Sequence, residues 1–216
     1  YNKTAFSDKK IQRISHTRRD IDMAEIKQTV NRLSKQENNN FSKVIPIVFA
    51  GSEEYLYYAG VAIQSIYENA NPDYLYDIYI FVDGFTSSII RNKLLSLKYE
   101  NVKITVFDVT NCLNGIDLYC VAHYSKQMYY RWFIPEVLSG YDKVIYLDCD
   151  VAVNTDIANL YEIDLQDNYV AAANNFLRKN LLNHVQNRLC IDVEEYCNSG
   201  ILLINCREWI NRNLKN

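Results

Sequence analysis

Apolar positions come in blocks along the chain, and the blocks alternate between continuous runs and helical spacing. Val44 to Ala50 is a continuous run and predicts a buried strand. Pro46 inside it argues for an early or edge position, because proline cannot donate to a ladder. After Gly51-Ser52-Glu53-Glu54-Tyr55, the residues Leu56, Ala59, Ile63, Ile66 and Ala70 recur at helical spacing, until Asn71-Pro72-Asp73 stops them. Asp77 to Val82 predicts a second strand, ended by Asp83-Gly84. Thr86 reads as the cap of a helix carrying Ile89, Ile90, Leu94 and Leu97. Val102, Ile104 and Val106 alternate, as a third strand does.

Further along, Thr110 to His123 is a polar loop. Ser125 reads as the cap of a helix holding Met128, Tyr129, Trp132 and Phe133, with Trp132 and Phe133 assigned to the core. Arg131 stands among them and must reach an anion or water. Val144 to Leu147 is a β-branched and aromatic run that predicts a strand ending at Asp148-Cys149-Asp150. A helical turn is expected over Asp156 to Leu160, and a small-residue strand over Val170 to Ala173 that leads to Asn174 and Asn175. A helix is expected over Leu181 to Leu189, a turn over Tyr196 to Gly200, a strand over Ile201 to Ile204 and a last helix over Arg207 to Leu214. Strand, helix, strand, helix, strand predicts a doubly wound, mostly parallel sheet with ligands beyond the carboxyl ends of its strands. Gly51, Asp83 and Asp148 fall at such ends, so one crevice can gather them.

Residues 1–43 differ in composition from residues 44–216. They carry more Lys and Arg than Asp and Glu. Met23, Ile26, Val30 and Leu33 make one apolar helical stripe, Asp20 is the candidate N-cap, and Gln36 to Ser42 reads as a linker. The chain therefore divides into a helical extension, 1–43, and one α/β domain, 44–216. The extension suits docking to a neighbouring domain, a second copy of the chain or an anionic membrane surface, or it is an interdomain connector. The chain begins at Tyr1 rather than Met and reads as a piece of a longer protein.

Composition narrows the classes. A chain of 216 residues holds one α/β domain and an appendage, and 49% apolar content excludes wholesale disorder. A net charge of −3 is too small for nucleic acid as the main partner. The six cysteines form no Cys-x-x-Cys pair and no metal spacing with histidine, which points to free buried thiols in a reducing cytoplasm. No apolar run reaches the ~18 residues of a spanning helix, and no signal peptide is visible. A cytoplasmic protein is expected, with a peripheral place at the inner membrane surface open to it through residues 1–43.

The chemistry concentrates at Asp148 and Asp150. Side chains at i and i+2 of an extended chain leave on one side, so the two carboxylates can converge. Such anions repel unless a positive group sits between them, and hard oxygen ligands suit Mg²⁺ or Mn²⁺. A solvated turn or helix cap uses the same residue types, and the surroundings must decide.

Those surroundings resemble the family 8 glycosyltransferases, which include glycogenin and bacterial galactosyl- and glucosyltransferases. The resemblance spans residues 44 to 214. It rests on Ile47 to Ala50 followed by Tyr55, Val61 to Ile66, Asp83-Gly84, Tyr130-Arg131, Lys143 to Asp150, and Asn198 to Asn205, in that order. It implies a GT-A fold, a retaining, metal-dependent transfer from UDP-glucose or UDP-galactose, and a glycan, protein-linked or lipid-linked acceptor. It places Ala50 and Ser52 by the nucleoside, Tyr55 near the uracil and Arg131 at the diphosphate and sugar. Asp148 and Asp150 would hold Mn²⁺ or Mg²⁺, and Asn198 and Gly200 would line the sugar and acceptor side. Asp83, Cys149 and Asn175 complete the donor-binding set, and Asn198 joins Asp148, Asp150 and Arg131 as catalytic.

The chain departs from the family pattern at several points. Ser52 stands where a carboxylate is usual, Glu54 where asparagine is frequent, and Asn175 where relatives often carry aspartate. A later Gln-Asp pair and a His-x-x-Gly-x-x-Lys-Pro-Trp run are absent, and His16, His123 and His184 lack that context. The C-terminal part of the family fold is therefore expected to be missing and the 216-residue piece to be inactive. Two rivals stand beside this reading. In a haloacid-dehalogenase-type phosphatase Asp148 would be the nucleophile and Asp150 the acid/base, but that motif normally opens its domain. A non-catalytic domain would keep the fold to bind a nucleotide or a partner.

Overall fold

The computed structural model describes residues 23–31, 41–84, 86–113, 116, 118, 126–174, 186 and 196–212. Asp20, Leu33, most of the Gln36–Ser42 linker, His16, His123, His184, Ser125, Asn175, Leu214 and all of the expected Leu181–Leu189 helix but Gln186 lie outside them. Within them a helix, α1 (23–31), precedes β1 (Lys43–Ala50), α2 (Glu53–Glu68), β2 (Tyr74–Val82), α3 (Ser88–Ser96) and β3 (Val102–Asp108). Two 3₁₀ segments come next, Thr110–Leu113 and Lys126–Phe133, and then α4 (Ile134–Val137) and β4 (Lys143–Leu147). α5 (Ala158–Tyr161), β5 (Val170–Asn174), β6 (Cys197–Asn205) and α6 (Cys206–Asn211) complete the described chain.

The described strands form one six-stranded sheet in the order β3-β2-β1-β4-β6-β5. The pairs β1–β2, β2–β3 and β1–β4 are parallel, while β6 runs antiparallel to both β4 and β5. The expected doubly wound, mostly parallel α/β architecture is present. Pro46 is not at an edge, since β1 lies between β2 and β4. The β4 ladder starts only at Ile47↔Ile145, so Pro46 interrupts nothing on that side.

Alternation along each strand sends apolar side chains to both faces. Ile47, Phe49, Ile78, Ile80, Ile145 and Leu147 pack with α2 and α3 in one core. Val48, Tyr79, Phe81, Val144 and Tyr146 pack in a second core with Tyr130, Phe133 and Ile134. Met23 and Val30 of α1 are buried in that second core. Burying one such Leu or Ile side chain fully contributes about 1.5–3 kcal/mol, so the two filled faces hold the sheet rigid under its loops.

Three local expectations are corrected. The cap of α3 is Ser87, whose Oγ accepts from the Ile90 amide, while Thr86 donates its hydroxyl to Asp83. The segment at Lys126–Phe133 is 3₁₀ rather than α. With three residues per turn, Tyr130 and Phe133 share the buried face and Trp132 turns outward, 55% exposed. Residues Cys197 to Gly200 are the start of β6 rather than a turn, with Cys197 opposite Asn174 beyond an irregularity between Ala172 and Asn174. Among the described residues no helix is long and apolar enough to cross a membrane.

Candidate active site at the carboxyl end of the sheet

A cleft of about 240 Å³ opens where β1 and β4 leave the sheet. The end of β1 and the start of α2 supply Ala50, Gly51, Ser52 and Tyr55. The 3₁₀ segment supplies Gln127, Met128 and Arg131, and the end of β4 supplies Tyr146, Asp148, Cys149 and Asp150. Ser199 closes the wall from β6. Parallel pairing of β1 with β4 brings these segments together although about a hundred residues separate them in sequence.

Asp148 is fixed from several directions. Its amide donates to the Gly200 carbonyl at 2.7 Å. Its Oδ1 accepts from the Tyr146 hydroxyl at 2.6 Å and from an Arg131 NH2 group at 3.3 Å. A Cβ at Gly200 would lie 2.8 Å from Asp148 Oδ2, so glycine is needed there to leave that oxygen its space. Asn198 Oδ1 accepts from the Gly200 amide at 2.8 Å and so shapes this approach.

Arg131 is the best-anchored charge of the cleft. Its Nε donates to Met128 O at 2.8 Å and its NH1 to Ser199 O at 2.6 Å. Its guanidinium carbon lies 4.5 Å from the Tyr146 ring centre, a cation–π contact. The side chain is only 13% exposed, against 39% for Asp148. The arginine that an apolar segment had to send toward an anion has found one.

Cys149 lies between the aspartates but turns inward. Its Sγ sits 3.7 Å from Ala50 O, and a Cβ on Gly51 would come within 3.0 Å of it. Burial first, and then the charges of Asp148 and Asp150, push its thiol up to about 12. It stays protonated at neutral pH and packs the turn against β1. Burial likewise raises the Tyr146 phenol well above the ordinary tyrosine range, so it stays a hydrogen-bond donor.

The residues read from the sequence divide into two groups. Ala50, Ser52, Tyr55, Arg131, Cys149 and the two aspartates line the cleft; Asp83, Asn198 and Gly200 do not. The Asp83 carboxylate stands behind Gln127 and accepts from its Nε2, while the Asp83 carbonyl accepts from Arg91. Glu54 is exposed and outside the lining. Its neighbour Glu53 accepts from the Ser87 amide at 3.0 Å and ties α2 to the start of α3. Gln127, Met128, Tyr146 and Ser199 also line the cleft, and no sequence motif marks them as site residues. A tyrosine two positions before an aspartate in a strand was the one available hint, because i and i+2 share a face.

The donor set suits a hard divalent ion. Both hydrogen bonds to the Asp148 carboxylate go to Oδ1, and Oδ2 borders the space over Gly200. Asp150 is exposed beside it. Among the described residues no group of three or more His, Cys, Asp or Glu side chains could hold a metal, so these two carboxylates would share an ion with ligand oxygens or water.

The model of the family "Glycosyl transferase family 8" matches residues 46–216. Over 175 residues the chain is 27% identical to the glycosyltransferase GlyE of Streptococcus pneumoniae, covering 76% of this chain and 36% of that protein. Over 185 residues it is 26% identical to the lipopolysaccharide 1,2-glucosyltransferase of Escherichia coli, covering 82% of this chain and 52% of that one. The chain thus spans between about a third and a half of the length of these relatives. The crystal structure of the galactosyltransferase LgtC in complex with donor and acceptor sugar analogues matches with a TM-score of 0.63 at 28% identity, over 77% of this chain and 60% of that one. The expected GT-A fold is borne out by this likeness.

Proposed function

This chain belongs to glycosyl transferase family 8, and we propose that it forms the donor-binding part of a glycosyltransferase moving a hexose from a uridine diphosphate sugar to a glycan, protein-linked or lipid-linked acceptor. The names of its relatives, a glucosyltransferase and a galactosyltransferase among them, support glucose or galactose as the hexose. The observation that carries the reading is the convergence of Arg131 with Asp148 and Asp150 beside the open end of β1.

Cleaving the anomeric C–O bond leaves its electron pair, and negative charge, on the diphosphate. Arg131 is placed to meet that charge. Three of its five N–H donors are committed to Met128, Ser199 and Asp148, which leaves two for phosphate oxygens. Because those bonds and the Tyr146 ring already hold it, little reorganisation is needed as charge develops. Asp148 and Asp150 would hold a Mn²⁺ or Mg²⁺ ion, which when bound supplies further neutralisation of the diphosphate. Ala50 and Ser52 border the nucleoside end, and Tyr55, 46% exposed, offers its ring to the base. Transfer with retention of anomeric configuration follows the family reading.

The test is an assay of UDP-glucose, UDP-galactose and UDP-N-acetylglucosamine hydrolysis with Mn²⁺, beside a generic phosphomonoester. Mn²⁺-enhanced UDP binding is expected, and any donor turnover is expected to be of a UDP-sugar. Turnover of the phosphomonoester alone would return the Asp-x-Asp strand to the phosphatase reading. UDP binding with neither Mn²⁺ enhancement nor turnover of any donor would assign the chain to nucleotide binding only.

A further inference from the structure

We propose that Tyr146 is a positioning residue that joins the cation-holding and diphosphate-holding halves of the cleft, an inference that rests on the family 8 reading above. Two contacts leave this one side chain. Its hydroxyl donates to Asp148 Oδ1 at 2.6 Å, and its ring lies beneath the Arg131 guanidinium at 4.5 Å. The groups that would meet the cation and the diphosphate are therefore referenced to the same aromatic ring.

That ring has little freedom. Tyr146 is fully buried, and its strand position pairs with Val48 on one side and Leu202 on the other. Around it lie buried Val48, Tyr130 and Leu202 of the same core. A rigid side chain on a doubly paired strand is the support a site needs if its charges are to stay within a fraction of an ångström of the productive geometry. Held at Oδ1 by the phenol, the Asp148 carboxylate presents Oδ2 over Gly200. Without the hydroxyl, only the longer Arg131 contact at 3.3 Å still holds Oδ1 against rotation about χ2. Without the ring, Arg131 loses the surface under its guanidinium and keeps only its edge bonds.

The two contacts separate by substitution. Tyr146→Phe keeps the ring and removes the hydroxyl. UDP affinity without added cation should stay within about twofold of wild type, while the enhancement by Mn²⁺ should fall about tenfold, as for the loss of an outer-shell partner. Tyr146→Leu removes both contacts, and UDP affinity should then fall without cation as well. In an Asp148→Asn background, Tyr146→Phe should change nothing more, because its effect passes through that carboxylate. Calorimetric titration of UDP with and without Mn²⁺ reads all of these, and thermal melts confirm that each variant folds.

A Tyr146→Phe variant with wild-type Mn²⁺ enhancement overturns the proposal. So does an equal loss in the Asp148→Asn background, which would mark a purely structural tyrosine. If wild type itself shows no Mn²⁺ enhancement of UDP binding, the family 8 reading of the site fails first and takes this inference with it. The wild-type titration alone therefore tells the two failures apart.

Discussion

Strand β4 has a polar cleft at each end, about 240 Å³ beyond Leu147 and about 220 Å³ around Lys143. Size does not distinguish them; the use of charge does. At the amino end Arg207 pairs with Asp142, Lys43 pairs with Glu162, and Lys143 Nζ donates to the carbonyls of Tyr161 and Ile163 at 2.6 and 2.8 Å. Asn205 closes the wall by donating to the Gln166 and Asn168 carbonyls. These groups meet one another and brace the last helix and the loop before β5. The amino-end lining holds Asp142, Asp164 and Glu208 against Lys143 and Arg207, and the carboxyl-end lining Asp148 and Asp150 against Arg131, so each carries one more acid than base. Asp164 accepts from the Gln166 amide and Glu208 pairs with Arg212, whereas at the carboxyl end Arg131 keeps donors in reserve and Asp150 is exposed. A cleft whose charged groups are spent on one another holds the fold together, and one that keeps donors and carboxylate oxygens in reserve is set for a ligand.

The largest expected effect tests that reserve. Asp148→Asn keeps the shape and removes one of the two charges that would hold a cation. It also removes the negative partner of Arg131. Mn²⁺-enhanced UDP binding should weaken by at least about 100-fold, more than the loss of an outer-shell partner. Calorimetry with the thermal melt as control checks it. Wild-type enhancement in the mutant would show that the carboxyl end, too, is only a brace.

Arg131 sharpens the comparison because its two roles have opposite signs. In the empty cleft it neutralises Asp148 and repels an incoming cation. With UDP present it supplies two donors to phosphate oxygens. Arg131→Ala should therefore bind Mn²⁺ alone a few-fold more tightly, while UDP affinity at saturating Mn²⁺ falls about 10- to 100-fold, the cost of a lost charge-assisted contact. Equal movement of both affinities in one direction would reduce Arg131 to packing.

Much of this cleft is legible in the amino-acid sequence, and the reasons are local. Val44 to Ala50 and Val144 to Leu147 are apolar runs with no competing period, so their strand ends, and with them Asp148 and Asp150, can be placed. Arg131 stands out because burial makes an unpaired arginine costly. The features that stay hidden depend on partners far away in the chain. Asp83 reaches Gln127 rather than the cleft, across more than forty residues. The first residues of β6, Cys197 to Ser199, are exposed, and Cys197 is tied to the sheet by its pairing with Asn174 of β5, which no local pattern announces. Trp132 is misplaced by a helical reading because three residues per turn and 3.6 send it to different faces. Tyr146 looks like one more apolar strand residue, since its hydroxyl matters only once Asp148 and Arg131 are in view.

The smallest expected effect belongs to the amino end. Arg207 and Asp142 are 62% and 66% exposed, and although the Asp142 hydrogen bond and charge hold the Arg207 guanidinium above its ordinary range, water and salt screen the pair. Arg207→Ala and Asp142→Asn should each leave Mn²⁺-dependent UDP affinity within about twofold of wild type and move the thermal midpoint by no more than about 2 °C. Raising the salt to about 0.5 M should erase even that difference, because the Debye length then falls below about 5 Å. The distance along β4 is what makes the test informative. Lys143 and Leu147 belong to one strand held rigid by β1 and β6, so a disturbance at Asp142 could reach Asp148 only by shifting that strand. A tenfold loss of UDP affinity in Arg207→Ala would mean that it does shift. The two clefts would then be one coupled unit, and the donors and oxygens held in reserve at the carboxyl end would no longer be what sets it apart.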